Sequence, residues 1–285
     1  MELKILYDKS LNLGEGPIWD PRVSILYFVD ILSKSLFCHQ YENNKIDVFY
    51  FDEFISCVAL TGTINNLLIA LESGIYRFDV STGKKTFIIQ PEKSENFRFN
   101  DGAVTPWGTW LLGSMNNLNN GDNAPLLPDA CLYEISEYGA YPILESVTIP
   151  NGIVFEDNSV YFIDSKVNSV RKFQYKDNSF IDEKIIFQFD GPGSLDGMCI
   201  SKSRKLYIAN WGGSQILVFD LNIGKIIESI SVPAINPTSC TFGGPQMNEL
   251  FITTSNRDEK NPNKIAGVYH IQLPDIGYEE PMLNW

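Results

Sequence analysis

The 285-residue chain is poor in histidine, holding only His39 and His270, and that scarcity excludes a large share of hydrolase chemistry. A Ser-His-Asp triad or a Cys-His pair needs an imidazole beside its nucleophile, and neither the zinc-protease pattern HExxH nor a GxSxG elbow occurs. Cysteine is sparse as well. Cys38, Cys57, Cys131, Cys199 and Cys240 are odd in number, scattered and without a CxxC pair, which argues against a disulfide framework or a zinc knuckle. They read as reduced, buried small hydrophobes. Positive charge is in the minority, 22 Lys plus Arg against 35 Asp plus Glu for a net charge of −13, and no basic cluster interrupts it. The phosphate-neutralising face that nucleic acid requires is therefore missing, and an anionic membrane surface is a poor partner. No apolar run approaches the roughly 18 residues of a transmembrane helix, and the opening MELKILYDKSLNLGEGP has no signal-peptide core. A cytoplasmic protein is expected.

Helical spacing is also lacking: no stretch of a dozen residues free of Gly and Pro carries apolar residues at i, i+3, i+4 and i+7. What is present is a repeat. A short apolar strand recurs as ILYFVD (25–30), LLIAL (67–71), WLLGSM (110–115), VYFID (160–164), LYIAN (206–210) and LFITT (250–254). From Tyr27 through Leu68, Leu111, Tyr161 and Tyr207 to Phe251 the intervals are 41, 43, 50, 46 and 44 residues, the period of a four-stranded propeller blade. Each copy is followed by a second strand-like segment, among them IYRFDVSTGK, ILVFDLNIGK and VYHIQLPD, with period-two alternation and turn chemistry at its end. Both histidines fall in such second segments, toward the outside of their sheets, where a structural role is expected. The pattern predicts an all-β, six-bladed β-propeller of four-stranded antiparallel blades around a central channel, one domain over 1–285. The N-terminal LKILYD completes the last blade so that no long edge is exposed. The Asn-, Gly- and Pro-rich stretch 116–128 reads as a long loop over one end of the propeller.

With imidazole and thiolate chemistry set aside, oxygen ligands remain. Glu15 in LGEGPIWD, Asn100 and Asp101 in FRFNDGAV, Asn151 in IPNGIVF and Asp196 in SLDGMCI each stand beside a glycine, some 10 to 12 residues ahead of a marker position. Alone, each is an ordinary tight-turn sequence. Their common phase in the repeat is what places them together around the channel. Converging carboxylates repel one another unless a cation lies between them, and hard divalent cations prefer such oxygens.

GEGPIWD followed by LYFVDI, then RFNDGAV, LLGSM, PNGI, YFIDS, LDGMCI, LYIANWGGSQILVFD and PTSCTFGG occur in an order and spacing that resemble the gluconolactonase, regucalcin and luciferin-regenerating-enzyme (SMP-30) family over most of the chain. The resemblance implies a six-bladed propeller holding one divalent cation (Ca²⁺, Zn²⁺, Mn²⁺ or Mg²⁺) through Glu15, Asn151 and Asp196. It also implies that Arg98 and Asn100 hold the substrate and that Asp196 doubles as general base. The implied reaction is hydrolysis of a sugar lactone such as gluconolactone: water attacks the polarised carbonyl and Asp196 takes the proton.

One departure bears on selectivity. Some family members carry an acidic, sugar-contacting residue soon after the GSM segment, whereas here GSM is followed by NNLNNGD, with Asn117 near that position and Asp122 the first carboxylate. Asn117 is therefore taken as a third substrate contact. Trp211 could wall the channel mouth, with packing within its blade an equal alternative, and Trp19 and Trp107 are assigned to packing. Two further readings share the fold: a non-catalytic, calcium-binding regulatory protein, and a hydrolase of another ester such as a phosphotriester.

Overall fold

A computed structural model of the chain describes residues 2–92, 96–117, 126–257 and 265–285, and every regular element among them is a β-strand. The strands form six four-stranded antiparallel sheets, and the first strands of successive sheets touch one another in a closed ring. These innermost strands are Gly14–Asp20, Ile55–Leu60, Phe97–Val104, Pro150–Glu156, Ser194–Ile200 and Asn236–Gly243, which number the blades one to six. The N-terminal strand Lys4–Tyr7 pairs with Val268–Gln272 and supplies the outer edge of blade six, so the ring is closed by a strand from each end of the sequence, as expected. Among the described residues no helix is long and apolar enough to cross a membrane.

Burial explains the sequence pattern strand by strand. The marker segments are second strands, covered on both faces by neighbouring blades, so Ile25–Asp30 and Ser159–Asp164 are continuous apolar runs rather than alternating ones. The core follows from this, as apolar clusters sandwiched between adjacent blades. Ile18, Tyr27 and Val29 of blade one meet Val58, Leu60 and Ile69 of blade two, and Tyr161 and Ile163 of blade four meet Leu195, Met198 and Ile208 of blade five. Each such side chain taken fully out of water contributes about 1.5–3 kcal/mol. Trp19 stacks on Phe251, and Trp107 stacks on Tyr175 with ring centroids 3.9 Å apart, so both indoles pack as the sequence indicated. All five cysteines are free thiols, four of them buried.

The feature that shapes the centre is a bulge. In each innermost strand one extra residue stands opposite the second strand at the same place: between Glu15 and Ile18, Ile55 and Cys57, Phe99 and Gly102, Pro150 and Ile153, Leu195 and Met198, and Pro237 and Ser239. A bulge re-aims side chains out of the regular alternation. Here Glu15, Asn100, Asn151 and Asp196 all lie at it. The glycines that follow two of them let the strands crowd together, since a Cβ on Gly152 would come within 2.6 Å of Met198 Cγ and one on Gly197 within 2.2 Å of Ser239 Oγ.

Candidate metal and substrate site

The loops that deliver the bulged residues are clamped from the next strand. Asp30, at the end of ILYFVD, accepts the backbone N–H of Asn12 at 2.8 Å and of Leu13 at 2.9 Å, just ahead of Glu15. Asp164, at the end of VYFID, accepts those of Thr148 at 2.8 Å and Ile149 at 3.0 Å, just ahead of Asn151. Glu72 stands at the same place in blade two and accepts the N–H of Phe54 at 3.0 Å. These carboxylates fix the height of the ring above them. An acid at the end of three of the six marker strands is the sequence signal that could have located these clamps.

Glu15, Arg98, Asn100, Asn151 and Asp196 are each at least nine-tenths buried and line one cavity of about 530 Å³ at the end of the channel where the innermost strands begin. A larger cavity, about 670 Å³, lies at the outer edge between blades six and one, but its Glu249 is already held between Tyr41 and His270. The oxygen chemistry is in the channel. A hydrogen-bond chain orders it: Arg98 Nη1 donates to Asn100 Oδ1 at 2.8 Å, and Asn100 Nδ2 donates to Asn151 Oδ1 at 3.0 Å. Asn151 Nδ2 in turn donates to Ser165 Oγ at 2.7 Å, and that hydroxyl donates to the Leu195 carbonyl at 2.6 Å, beside Asp196. Three blades are thus tied into one arrangement.

Its electrostatics are unfavourable as they stand. Burial, then Asp101, pushes the Glu15 carboxyl up to about 8, against a weaker opposing effect from the Gly16 N–H and Arg98. Burial raises Asp101 to about 6. Asp196 is driven well above the usual carboxylate range by burial, Glu15 and Asp101 in that order. Burial also draws Arg98 down to about 10, helped by Arg257 and opposed by Glu15 and Glu72.

Asp196 Oδ1 is buried without a hydrogen-bond partner, which costs about 1–3 kcal/mol or more unless something occupies that direction. Two buried carboxylates and an amide oxygen, one carboxylate oxygen orphaned, are the donor set a hard divalent cation fits, and such a cation opposes each of the upward shifts. Among the described residues no three His, Cys, Asp or Glu side chains converge to hold a metal by themselves, so a cation here would need a further oxygen such as that of the Asn151 amide.

The other expected residues are placed as follows. Asn117 is not in the cavity lining; its Nδ2 donates to Glu72 Oε1 at 3.0 Å, one layer behind Arg98. Asp122 and most of the 116–128 loop, residues 118–125, lie outside the described residues, although Leu126 at its far end lines the cavity. Trp211 lines the cavity and also packs against an apolar cluster, so both of its expected roles are seen; Met115, Lys166 and Arg257, which sequence reasoning did not single out, join it in the lining. His39 and His270 are remote from it, His39 buried in the third strand of blade one and His270 paired with Glu249 at 3.0 Å. Asp101 turns to the other side of the ring, into a small inner cavity that it shares with Thr241 and Glu280.

Residues 13–256 match the family described as the SMP-30/gluconolactonase/LRE-like region. The chain is 29% identical to YvrE of Bacillus subtilis (strain 168), provisionally named a sugar lactone lactonase, with 98% of this chain and 97% of that protein aligned. It is 28% identical to regucalcin of Danio rerio over 90% of this chain and 87% of the relative. In three dimensions it superposes on a calcium-binding protein, regucalcin, of Agrobacterium tumefaciens with a TM-score of 0.92, covering all of this chain and 98% of the other at 21% identity, a likeness of fold.

Proposed function

The chain belongs to the SMP-30/gluconolactonase/LRE-like family, and from that premise we propose that it is a metal-dependent lactonase that opens sugar lactones such as gluconolactone to the hydroxy acid. The observation that carries this reading is Asp196: a buried carboxylate with one unpartnered oxygen, in the same cavity as a buried arginine and two ordered amides. A divalent cation (Ca²⁺, Zn²⁺, Mn²⁺ or Mg²⁺) would be held by Glu15, Asn151 and Asp196 and would supply Lewis-acid polarisation of a carbonyl.

The chain's own residues do the rest. Arg98 and Asn100 orient the sugar hydroxyls, their mutual hydrogen bond at 2.8 Å fixing both before substrate arrives. Asp196 takes the proton of the attacking water and returns it to the ring oxygen as the acyl C–O bond breaks. One water is consumed, and the carboxylic acid formed releases one proton. Asn117 supports the substrate side through Glu72 and Arg98. Five unpaired thiols suit a reducing compartment, and we place the reaction in the cytoplasm.

Relatives named regucalcin favour a second reading, in which the same cation site serves calcium binding without turnover. Acid release measured by pH-stat separates the two, using five- and six-membered aldonolactones and metal-stripped protein reloaded with each cation. Metal-dependent turnover above spontaneous hydrolysis is expected; tight cation binding with no turnover on any lactone would sink the lactonase reading.

A further inference from the structure

Two cations, Lys166 and Arg257, line the cavity and lie in no ion pair among the described residues. Asp164 pairs with Pro150, Asn210 with Leu195 and Thr254 with Pro237, each the last pair ahead of the bulge, so these three residues stand at equivalent places in the second strands of blades four, five and six. Two residues further along the chain come Lys166 in blade four and Gly212 in blade five, and three residues further come Gly213 in blade five and Arg257 in blade six. Blade five, which carries Asp196, thus has glycine, Gly212 and Gly213, at both places where its neighbours carry a cation. By contrast, Arg22, Arg171, Arg204, Lys45, Lys85 and Lys205 each lie in an ion pair.

The local charge is therefore opposite to that of the whole chain, whose net charge is −13. Glu15 and Asp196 would be matched by the divalent cation they are proposed to hold, and Glu72 lies close enough to Arg98 to offset part of its charge. Lys166 and Arg257 are left over. Arg257 and Arg98 line the same cavity, and the Arg257 charge helps draw the Arg98 guanidinium down, a juxtaposition that favours an anion between them, as the carboxylates below favour a cation. Positive charge at a concave mouth also steers an anion inward from an otherwise repelling protein.

Resting on the lactonase reading, we propose that Lys166 and Arg257, above Arg98, form an anion-binding subsite, and that the substrate is a sugar lactone bearing a carboxylate or phosphate on the end remote from its ring carbonyl. The gap over Gly212 admits that end while the carbonyl lies at Asp196. Arg257 offers a planar fork suited to either anion, and Lys166 a point charge.

Steady-state kinetics on the full-length, metal-loaded protein test this with three lactones of one ring size: a neutral aldonolactone, its counterpart with a terminal carboxylate, and its counterpart with a terminal phosphate. At low ionic strength kcat/KM is expected to be at least about tenfold higher for one or both anionic lactones, the gain lying in KM and shrinking as salt is added. The two anionic arms identify the group that is read. In the double variant Lys166→Glu, Arg257→Glu the anionic-to-neutral ratio should fall at least about tenfold. A wild-type protein that prefers the neutral lactone, or a ratio that the double variant leaves unmoved, overturns the subsite. If no lactone of any charge is turned over, the lactonase reading fails by itself. Calorimetric titration with inorganic phosphate then decides the subsite: binding that the double variant loses upholds it, and its absence in the wild type overturns it.

Discussion

Asn100 Nδ2 lies 3.0 Å from Asn151 Oδ1, so a residue expected to hold substrate also orients a residue expected to hold metal. Substrate and cation sites are therefore joined by one amide whose other end accepts from Arg98. Replacing Asn100 by Ala should weaken divalent-cation affinity about 10- to 100-fold, the range for removing a group that orients a ligand, and lower kcat as well. Arg98→Lys keeps the charge but loses the fork, and should raise KM while leaving cation affinity within about threefold of wild type. Calorimetric cation titration beside steady-state kinetics checks both; unchanged cation affinity in Asn100→Ala would show that the two sites are independent.

Asp196→Asn removes both the proton acceptor and one anionic ligand, with little change in shape. Turnover should drop by about 10²–10⁴-fold, the usual contribution of a general base, and cation affinity should drop with it. Raising the cation concentration separates the two effects. If saturating cation restores wild-type kcat, Asp196 is a ligand only and another group takes the proton.

Metal removal should change how stability depends on pH. The Glu15 carboxyl moves from an ordinary 4.5 to about 8 in the folded, metal-free chain, through burial first and Asp101 second. Its charged form is the one that folding disfavours, so no penalty exists below the unfolded value. The penalty grows as pH rises from about 4.5 towards 8. Metal-free protein should therefore lose on the order of a few kcal/mol between pH 5 and pH 8, since each tenfold change in proton affinity is worth about 1.4 kcal/mol. Saturating divalent cation should reduce the loss, and Glu15→Gln should make the metal-free profile shallower, leaving the share contributed by Asp196 and Asp101. Denaturant melts at four or five pH values would show this; a metal-free stability that climbs over that range contradicts the electrostatics described above.

The sequence made the ring legible because second strands, buried on both faces, announce themselves as six apolar runs, and because the bulge residues keep a fixed distance from them. It did not reveal the outermost strands: Lys45–Tyr50 is half-buried at best and Ser179–Gln188 largely exposed, and nothing forces an apolar pattern on them. Of the site, Glu15, Asn100, Asn151 and Asp196 could be found by phase. Lys166 and Arg257 could not, since an unremarkable loop cation acquires meaning only when the fold sets it on the wall of the same cavity as the carboxylates. Asn117 rests on analogy with a position that here faces Glu72.

The C-terminal segment was equally silent in the sequence, having neither repeat nor period, and it closes the end of the channel away from the cavity. It joins turns of four blades: the Lys202 N–H donates to the Ile276 carbonyl at 2.8 Å, Gly277 N–H to Met247 at 2.8 Å, Leu283 N–H to Leu60 at 2.9 Å, and Trp285 Nε1 to Gly108 at 3.1 Å. Tyr207, in blade five, donates its hydroxyl to Asp275 at 2.5 Å. Leu283 is wholly buried among Cys57, Ala59 and Leu68, so Leu283→Ala leaves a cavity that the surrounding strands cannot collapse to fill. The expected cost is about 2–5 kcal/mol of global stability. Because the segment bridges blades two, three, five and six, that loss should appear as a lower thermal midpoint of one cooperative transition, with cation affinity at the opposite end of the channel retained in the folded protein. A separate early transition, with the main one unshifted, would mean instead that the segment melts off a propeller that does not depend on it.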